Sequence, residues 1–321
     1  MQEFNGSQRR VAAIFPSEVG KLAVVTASTN GIGFEVALAL AQAGADVIVT
    51  GRNPADGHEA LAKIRPLAPQ ALMRFEKLDL ESQASVADFA GRLGKAGRPI
   101  DLLINNACTL ALLKRDVTVD GFELHLATNF LSHFALTARL LPLLRASRQP
   151  RVVQLTSTGR HHGEISLDDL QLEGGYTPLK AYSQSKLAVL IFAIELQRQS
   201  DAQRWGLVGN SAQPIGARAA LLANATEVTG SVGWYHRTLG FVPEQLQGSV
   251  LQAPLDISDQ ENQEDPTAAK SLADLIGPTV PEALDMRVLD PVMGRKLWDV
   301  ATELTRVEWP NQVREGPLKI Y

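Results

Sequence analysis

The residues Leu22-Ala23-Val24-Val25-Thr26-Ala27-Ser28-Thr29-Asn30-Gly31-Ile32-Gly33 begin as a short apolar run and end in a turn of small residues. A helical pattern follows from Val36 to Ala43, with Gly44 placed to close it. The next run, Asp46-Val47-Ile48-Val49-Thr50, is rich in β-branched residues and stops at Gly51. Strand, turn, helix and strand within about 30 residues make one βαβ unit. Working outward, further strands are expected at Leu72–Leu78, Ile100–Asn105, Arg151–Leu155 and Leu207–Ala212. Helices are expected between them at Gln83–Leu93, Gly121–Leu144 and Pro178–Gln199. This alternation predicts an α/β fold, a Rossmann-type doubly wound parallel sheet with helices on both faces. Ligands of such sheets bind outside the carboxyl ends of the strands.

The chain has 321 residues, 45% of them apolar and 21% charged, which suits a globular enzyme with a large core. No linker divides it. Residues 1–20 read as a polar arm, and 21–321 as a single domain with a variable segment at about 215–285. Within that segment 256–268 is polar and acidic, as a surface loop would be. A last helix, Val292 to Thr305, carries Leu297, Trp298, Val300, Ala301 and Leu304 at helical spacing. Cys108 is the one cysteine, so an intrachain disulfide is excluded. The net charge of -4, with both signs mixed, argues against a nucleic-acid face. The longest apolar run, Leu187 to Ile194, is far shorter than the roughly 18 residues of a membrane span. Residues 1–10 lack the apolar core of a secretory signal, so a cytoplasmic location is expected.

The turn before the first helix fits a dinucleotide. A helix N-terminus offers amide donors and a partial positive charge to a pyrophosphate, and small residues let the backbone come close. Ala27, Ser28, Asn30, Gly31, Ile32 and Gly33 are the candidate cradle, with Ala27 where a first glycine would be expected. At the end of the second strand an acid would bind a ribose 2′-hydroxyl, and an arginine a 2′-phosphate. The chain has Gly51-Arg52-Asn53 there. Arg52 therefore points to NADP(H) as the preferred cofactor, with NAD(H) second.

Tyr182 and Lys186 are spaced to share one face of the long helix, about 6 Å apart along its axis. A free phenol titrates at about pH 10, and a neighbouring ammonium pulls that value down. A Tyr tuned in this way can exchange a proton with a carbonyl oxygen at neutral pH. Taken alone the pair is an ordinary surface pair. Its context is Arg151-Val152-Val153-Gln154-Leu155-Thr156-Ser157, a strand whose carboxyl end carries hydroxyls toward the expected crevice. Ser157 can hydrogen-bond a substrate oxygen there. The adjacent His161 and His162 point different ways, with no cysteine or carboxylate at ligand spacing, so no metal site is expected.

With Thr26 to Gly33, Asp79-Leu80, Asn105-Asn106-Ala107, Asn129 to Phe134, Ser157 and Tyr182 to Ala188 in this order, the chain resembles the short-chain dehydrogenase/reductases. The similarity runs over roughly residues 15 to 305 and is to the retinol-dehydrogenase-like and WW-domain-oxidoreductase-like branch. His161-His162-Gly163, Asp168-Asp169-Leu170 and Leu297-Trp298 resemble that branch too. The resemblance implies a catalytic tetrad of Asn129, Ser157, Tyr182 and Lys186. Tyr182 would be the general acid/base and Ser157 would orient the carbonyl. Lys186 would hold the nicotinamide ribose and lower the Tyr pKa, while Asn129 would keep a water of the proton path. Asp79 and Leu80 would lie at the adenine, Asn106 and Ala107 beside its ribose, and Pro214, Ile215 and Gly216 beside the nicotinamide.

The sequence departs from that family's pattern at Ala27, Cys108, Ser132 and Ile215, where glycine is usual or a Pro-Gly step is broken. The implied activity is NADP(H)-dependent hydride transfer between nicotinamide and a hydrophobic carbonyl or alcohol. The alternatives are a C=C reductase of the same family and a non-catalytic dinucleotide sensor. Trp234, Tyr235, His236 and Phe241 would line the substrate end, with Arg218 facing solvent. The resemblance also implies a homodimer or homotetramer, paired through the helices at 121–144 and 178–199.

Overall fold

Strands β1 (Leu22–Val25), β4 (Leu102–Asn105) and β5 (Arg151–Leu155) are buried along their whole length, as central strands covered on both faces must be. With β2 (Asp46–Gly51), β3 (Met73–Lys77), β6 (Val208–Gln213) and β7 (Gln252–Leu255) they form one sheet, in the order β3-β2-β1-β4-β5-β6-β7. The computed structural model describes residues 17–109, 114–213, 252–255 and 286–310. Strands β1 to β6 are parallel, and β7 runs antiparallel along β6 with a register shift between Ser211 and Gln213. The order reverses at β1 and β4, which places a crevice at their carboxyl ends.

Alternate side chains of the strands feed two cores. Ala23, Val25, Val47 and Val49 face helices α1 (Gly31–Gln42) and α2 (Pro54–Ile64). Val24, Ile48, Leu103 and Val152 face α3 (Gln83–Ala96), α4 (Ser132–Arg145) and α5 (Pro178–Gln203). A short helix α6 (Met286–Leu289) and α7 (Pro291–Thr305) complete that second side. There Phe134 and Phe192 of the long helices meet Trp298 of α7 edge-on or tilted, with ring centroids 5.0 and 5.9 Å away. Helices α4 and α5, through which the resemblance pairs subunits, thus carry α7 on part of their surface.

Four sequence expectations change. Helix α2 has no counterpart among the helices expected from periodicity. It buries only Gly57, Ala60, Leu61 and Ile64, one narrow stripe, but Asn53 caps it and Pro54 opens it. The helix expected from Gly121 starts later. Thr118 to Gly121 forms a turn, with Gly121 at φ 84, and Glu123 caps the helical segment instead. Strand β7 was not anticipated. At the polar arm, Glu18 is folded in: its N–H donates to Ala43 O at 2.8 Å and its carboxylate pairs with Lys21 at 2.6 Å. Pro214, Ile215, Gly216, Arg218, Trp234, Tyr235, His236, Phe241 and the 256–268 stretch lie outside the described residues.

Gly57 marks a close contact of α2 with the sheet. A Cβ there would collide with the ring of Phe75 on β3. Gly57→Ala should destabilise the fold by about 1–3 kcal/mol through overpacking, read as a lower denaturation midpoint with dinucleotide binding unchanged in the remaining native protein.

Candidate active site

The turn from β1 into α1 is shaped by backbone conformation. Ala27 adopts φ 49 and Gly31 φ 56. The first is the left-handed region that glycine enters freely and alanine only at a cost of about 1–2 kcal/mol. This is the physical reason a glycine is usual where Ala27 stands. Gly33 is required by contact: a Cβ on it would run into Ala27 O and lie 2.5 Å from Asn106 Nδ2. The loop is then tied from behind. Ser28 Oγ donates to Val25 O at 2.8 Å and accepts Thr50 N–H at 3.0 Å, so this side chain braces the strands. Asn106 Nδ2 donates to Thr26 O at 2.8 Å, and the N–H groups of Asn106 and Ala107 both donate to Thr26 Oγ1. Asn30 precedes α1 without a side-chain cap bond. Ile32 is half-buried against the α1–α2 core.

On the neighbouring edge, Arg52 leaves β2 and reaches Glu81, with Nη1 to Oε1 at 2.5 Å. Asp79 leaves β3 and its Oδ1 accepts the Glu81 N–H at 3.0 Å. Leu80 is buried in the core, and its carbonyl accepts from Ser132 Oγ at 2.6 Å. Ser132 also accepts from Gln83 Nε2 at 3.0 Å, so the hydroxyl that replaces a usual glycine is fully used. Cys108 is half-buried with its thiol toward Thr109 O.

Ser157, Tyr182 and Lys186 meet at the carboxyl end of β5. Ser157 caps a short turn, its Oγ accepting Gly159 N–H at 3.2 Å. A Cβ on Gly159 would lie 2.7 Å from Tyr182 Cε1 and 3.6 Å from Ser157 Oγ, so this glycine lets the phenol ring and the serine share one small space. Tyr182 and Lys186 lie one turn apart on α5 and are 3% and 2% exposed. Lys186 Nζ donates to Leu155 O at 2.9 Å, two residues before Ser157. The Tyr182 ring also meets His125 edge-on, centroids 6.5 Å apart.

Asn129 sits in a π-helical turn, Leu126–Leu131, just ahead of α4. Its Oδ1 accepts Thr109 N–H at 2.7 Å, and its Nδ2 donates to Ser185 Oγ at 2.9 Å and to Thr109 O at 3.3 Å. Ser185 Oγ in turn donates to Tyr182 O at 2.7 Å. The side chain of Asn129 therefore locks the loop after β4 to the helix that carries Tyr182.

Sequence reasoning missed two of the groups that assemble this site. His133 bridges Asn129 O through Nδ1 at 2.9 Å and Thr26 Oγ1 through Nε2 at 3.0 Å. Burial pushes its pKa down to about 4, so the ring is neutral at pH 7. A carbonyl can only accept, so Nδ1 carries the proton and Nε2 accepts from Thr26. Thr26, fully buried, thereby joins the turn after β1, the loop after β4 and the π turn. Nearby, burial and then the Glu123 carboxylate push Tyr176 up to about 12, away from any acid/base role at neutral pH. Asp169 accepts the N–H groups of Glu173 and Gly174, which hold its carboxyl below the usual range and close that loop.

The sequence matches the short chain dehydrogenase family over residues 21–227. The chain belongs to that family. Within it, this short chain dehydrogenase is 41% identical to mouse polyprenol dehydrogenase over 229 residues, 70% of this chain and 66% of the mouse protein. The chain spans between 58% and 66% of the length of three polyprenol dehydrogenases it matches. Human retinol dehydrogenase 13 is 33% identical over 309 residues, covering 93% of this chain and 88% of its own length. A crystal structure of an uncharacterized protein from Mycobacterium Paratuberculosis superposes with a TM-score of 0.69 at 31% identity, covering 93% of this chain and 98% of that one. No helix among the described residues is long and apolar enough to cross a membrane.

Proposed function

We propose that the chain is an NADP(H)-preferring oxidoreductase that moves a hydride between nicotinamide and a large apolar alcohol or carbonyl compound. The observation that carries this reading is the convergence of Ser157, Tyr182 and Lys186 at the carboxyl end of β5. The phosphate turn lies beside it in the same sheet, linked to it through Asn106, Thr26, His133 and Asn129. The turn of small residues, with Gly31 at φ 56 and Gly33 too closely packed on Ala27 and Asn106 to carry a Cβ, opens α1 as a pyrophosphate-binding helix N-terminus would. Arg52 fits a 2′-phosphate. A bound nicotinamide dinucleotide supplies or takes up the hydride.

The residues of this chain do the rest. The Tyr182 hydroxyl gives its proton to the carbonyl oxygen during reduction and takes it back during alcohol oxidation. The Ser157 hydroxyl donates a hydrogen bond to the same oxygen and stabilises the charge that develops there. The Lys186 ammonium, one turn from Tyr182, favours the phenolate. Asn129 and Ser185 fix the helix that presents Tyr182. Cofactor choice rests on Arg52, with Asp79, Asn106 and Ala107 around the adenosine half. Polyprenol and retinol, for which the relatives are named, are long isoprenoid alcohols, and a substrate of that chemistry is proposed here. Any self-association through α4 and α5 uses surface that α7 leaves open.

Two experiments test this. Incubating the protein with NADPH and a panel of retinal, a polyprenal and a steroid ketone should consume NADPH with at least one isoprenoid aldehyde and give its alcohol. Dinucleotide binding with no turnover across the panel would point instead to a sensor. NMR showing a saturated C=C bond would point to a C=C reductase. Second, Arg52→Ala should weaken NADPH binding at least about tenfold, the worth of a charged hydrogen bond, and NADH binding far less, by fluorescence titration. Equal losses would refute the 2′-phosphate role.

A further inference from the structure

A carboxylate stands at the edge of the cofactor site where the sequence rule places none. That rule looks for the deciding residue at the end of β2, an acid for a 2′-hydroxyl or a base for a 2′-phosphate. β2 ends in Gly51-Arg52-Asn53. Glu81, however, arrives from the end of the next strand. Gly51 is in register with Lys77, and Leu78 N–H donates to Gly51 O at 2.9 Å, so the two chain segments leave the sheet side by side. Glu81 Oε1 then meets Arg52 Nη1 at 2.5 Å. Asp79 holds the approach, its Oδ1 accepting the Glu81 N–H and its own N–H donating to Ser85 Oγ at 2.9 Å. The Arg52 side chain is 67% exposed and that of Glu81 35%, so the pair stands at the solvent edge, where an ion pair opens easily.

We propose that Glu81 is a specificity-determining residue for the choice of dinucleotide; this rests on the reading of the site as one for NAD(P)(H). From the adjacent strand it takes the place of the missing acid. With the pair closed, a ribose 2′-hydroxyl meets a carboxylate that can accept its hydrogen bond and a guanidinium already neutralised. A 2′-phosphate, with a charge of about -1.5 to -2, must take Arg52 away from Glu81 and then lie beside a second anion. Arg52 alone would select strongly for NADP(H). Arg52 with Glu81 gives a weaker selection and admits NAD(H).

The test is a fluorescence titration of the wild type and Glu81→Gln with NADPH and with NADH. Glu81→Gln should tighten NADPH binding and leave or weaken NADH binding, shifting the affinity ratio by about tenfold, the effect of one water-screened charge a few ångströms from a phosphate. Glu81→Asp, which keeps the charge on a shorter stem, should fall between. In an Arg52→Ala background, Glu81→Gln should give a smaller gain for NADPH, because the competition for the guanidinium is gone. Thermal melting of each variant establishes that it is folded. A Glu81→Gln ratio within about twofold of wild type, with both nucleotides bound, overturns the role of Glu81 and leaves the dinucleotide reading standing. Wild-type protein that binds neither nucleotide overturns both.

Discussion

Tyr182→Phe should lower turnover by about 10²- to 10⁴-fold, the usual worth of a general acid or base, while NADPH affinity stays within about twofold. The substitution removes one oxygen and keeps the ring. The ring packs edge-on to His125 and close to Gly159, where an added Cβ would lie 2.7 Å from Cε1. Helix α5 and its ties from Asn129 and Ser185 involve the Tyr182 backbone and not its hydroxyl. Folding and cofactor binding are expected to survive, and a rate lost with binding intact is assigned to proton transfer. The check is steady-state kinetics paired with a binding titration. A variant that turns over like wild type would remove Tyr182 from the mechanism. A variant that loses binding and turnover together would make it a structural residue.

Lys186→Met should have the next largest effect. Methionine matches the length and apolar stem of the lysine but brings neither charge nor donor. The ammonium that favours the Tyr182 phenolate is lost, and Leu155 O loses its partner at 2.9 Å. The sign of the pH effect follows directly. Without the cation the phenol pKa rises, so alcohol oxidation, which needs the phenolate, moves its rising limb to higher pH. A displacement of about one unit or more in the kcat/KM profile is expected, with kcat at neutral pH down about 10²-fold. Leaving a buried carbonyl unpaired adds a stability loss of about 1–3 kcal/mol, visible in denaturant melts. An unshifted profile would separate Lys186 from the acidity of Tyr182.

The elements around this site were legible to different degrees, for physical reasons. β1, α1 and β2 were readable because short β-branched runs flank a turn of small residues, and central strands carry little else. Helix α2 was not, because its buried stripe is thin and Gly57 interrupts it, although Asn53 and Pro54 carried an unused start signal. The onset of the segment leading to α4 was misplaced because Gly121 closes a turn there, while the capping carboxylate of Glu123 lies two residues on. In the site, Tyr182 and Lys186 declare themselves because their geometry is set by one helical turn. Glu81, Thr26 and His133 do not. Glu81 reaches Arg52 only because β2 and β3 are neighbours, and His133 meets Thr26 across a separation of 107 residues. Local spacing carries no trace of contacts made by the sheet. Ala27 is the converse case: the sequence marks it as a departure, and its φ of 49 shows what the departure strains.

The most direct measurement follows the hydride. Wild-type protein is given NADPH deuterated on the transferring carbon of the nicotinamide together with the best isoprenoid aldehyde of the panel, and the product is examined by mass spectrometry and NMR. Proton delivery by Tyr182 to a carbonyl beside bound nicotinamide requires deuterium on the carbinol carbon of the alcohol, and no such product from Tyr182→Phe on the same timescale. Alcohol free of deuterium, or deuterium on a former C=C carbon, contradicts it.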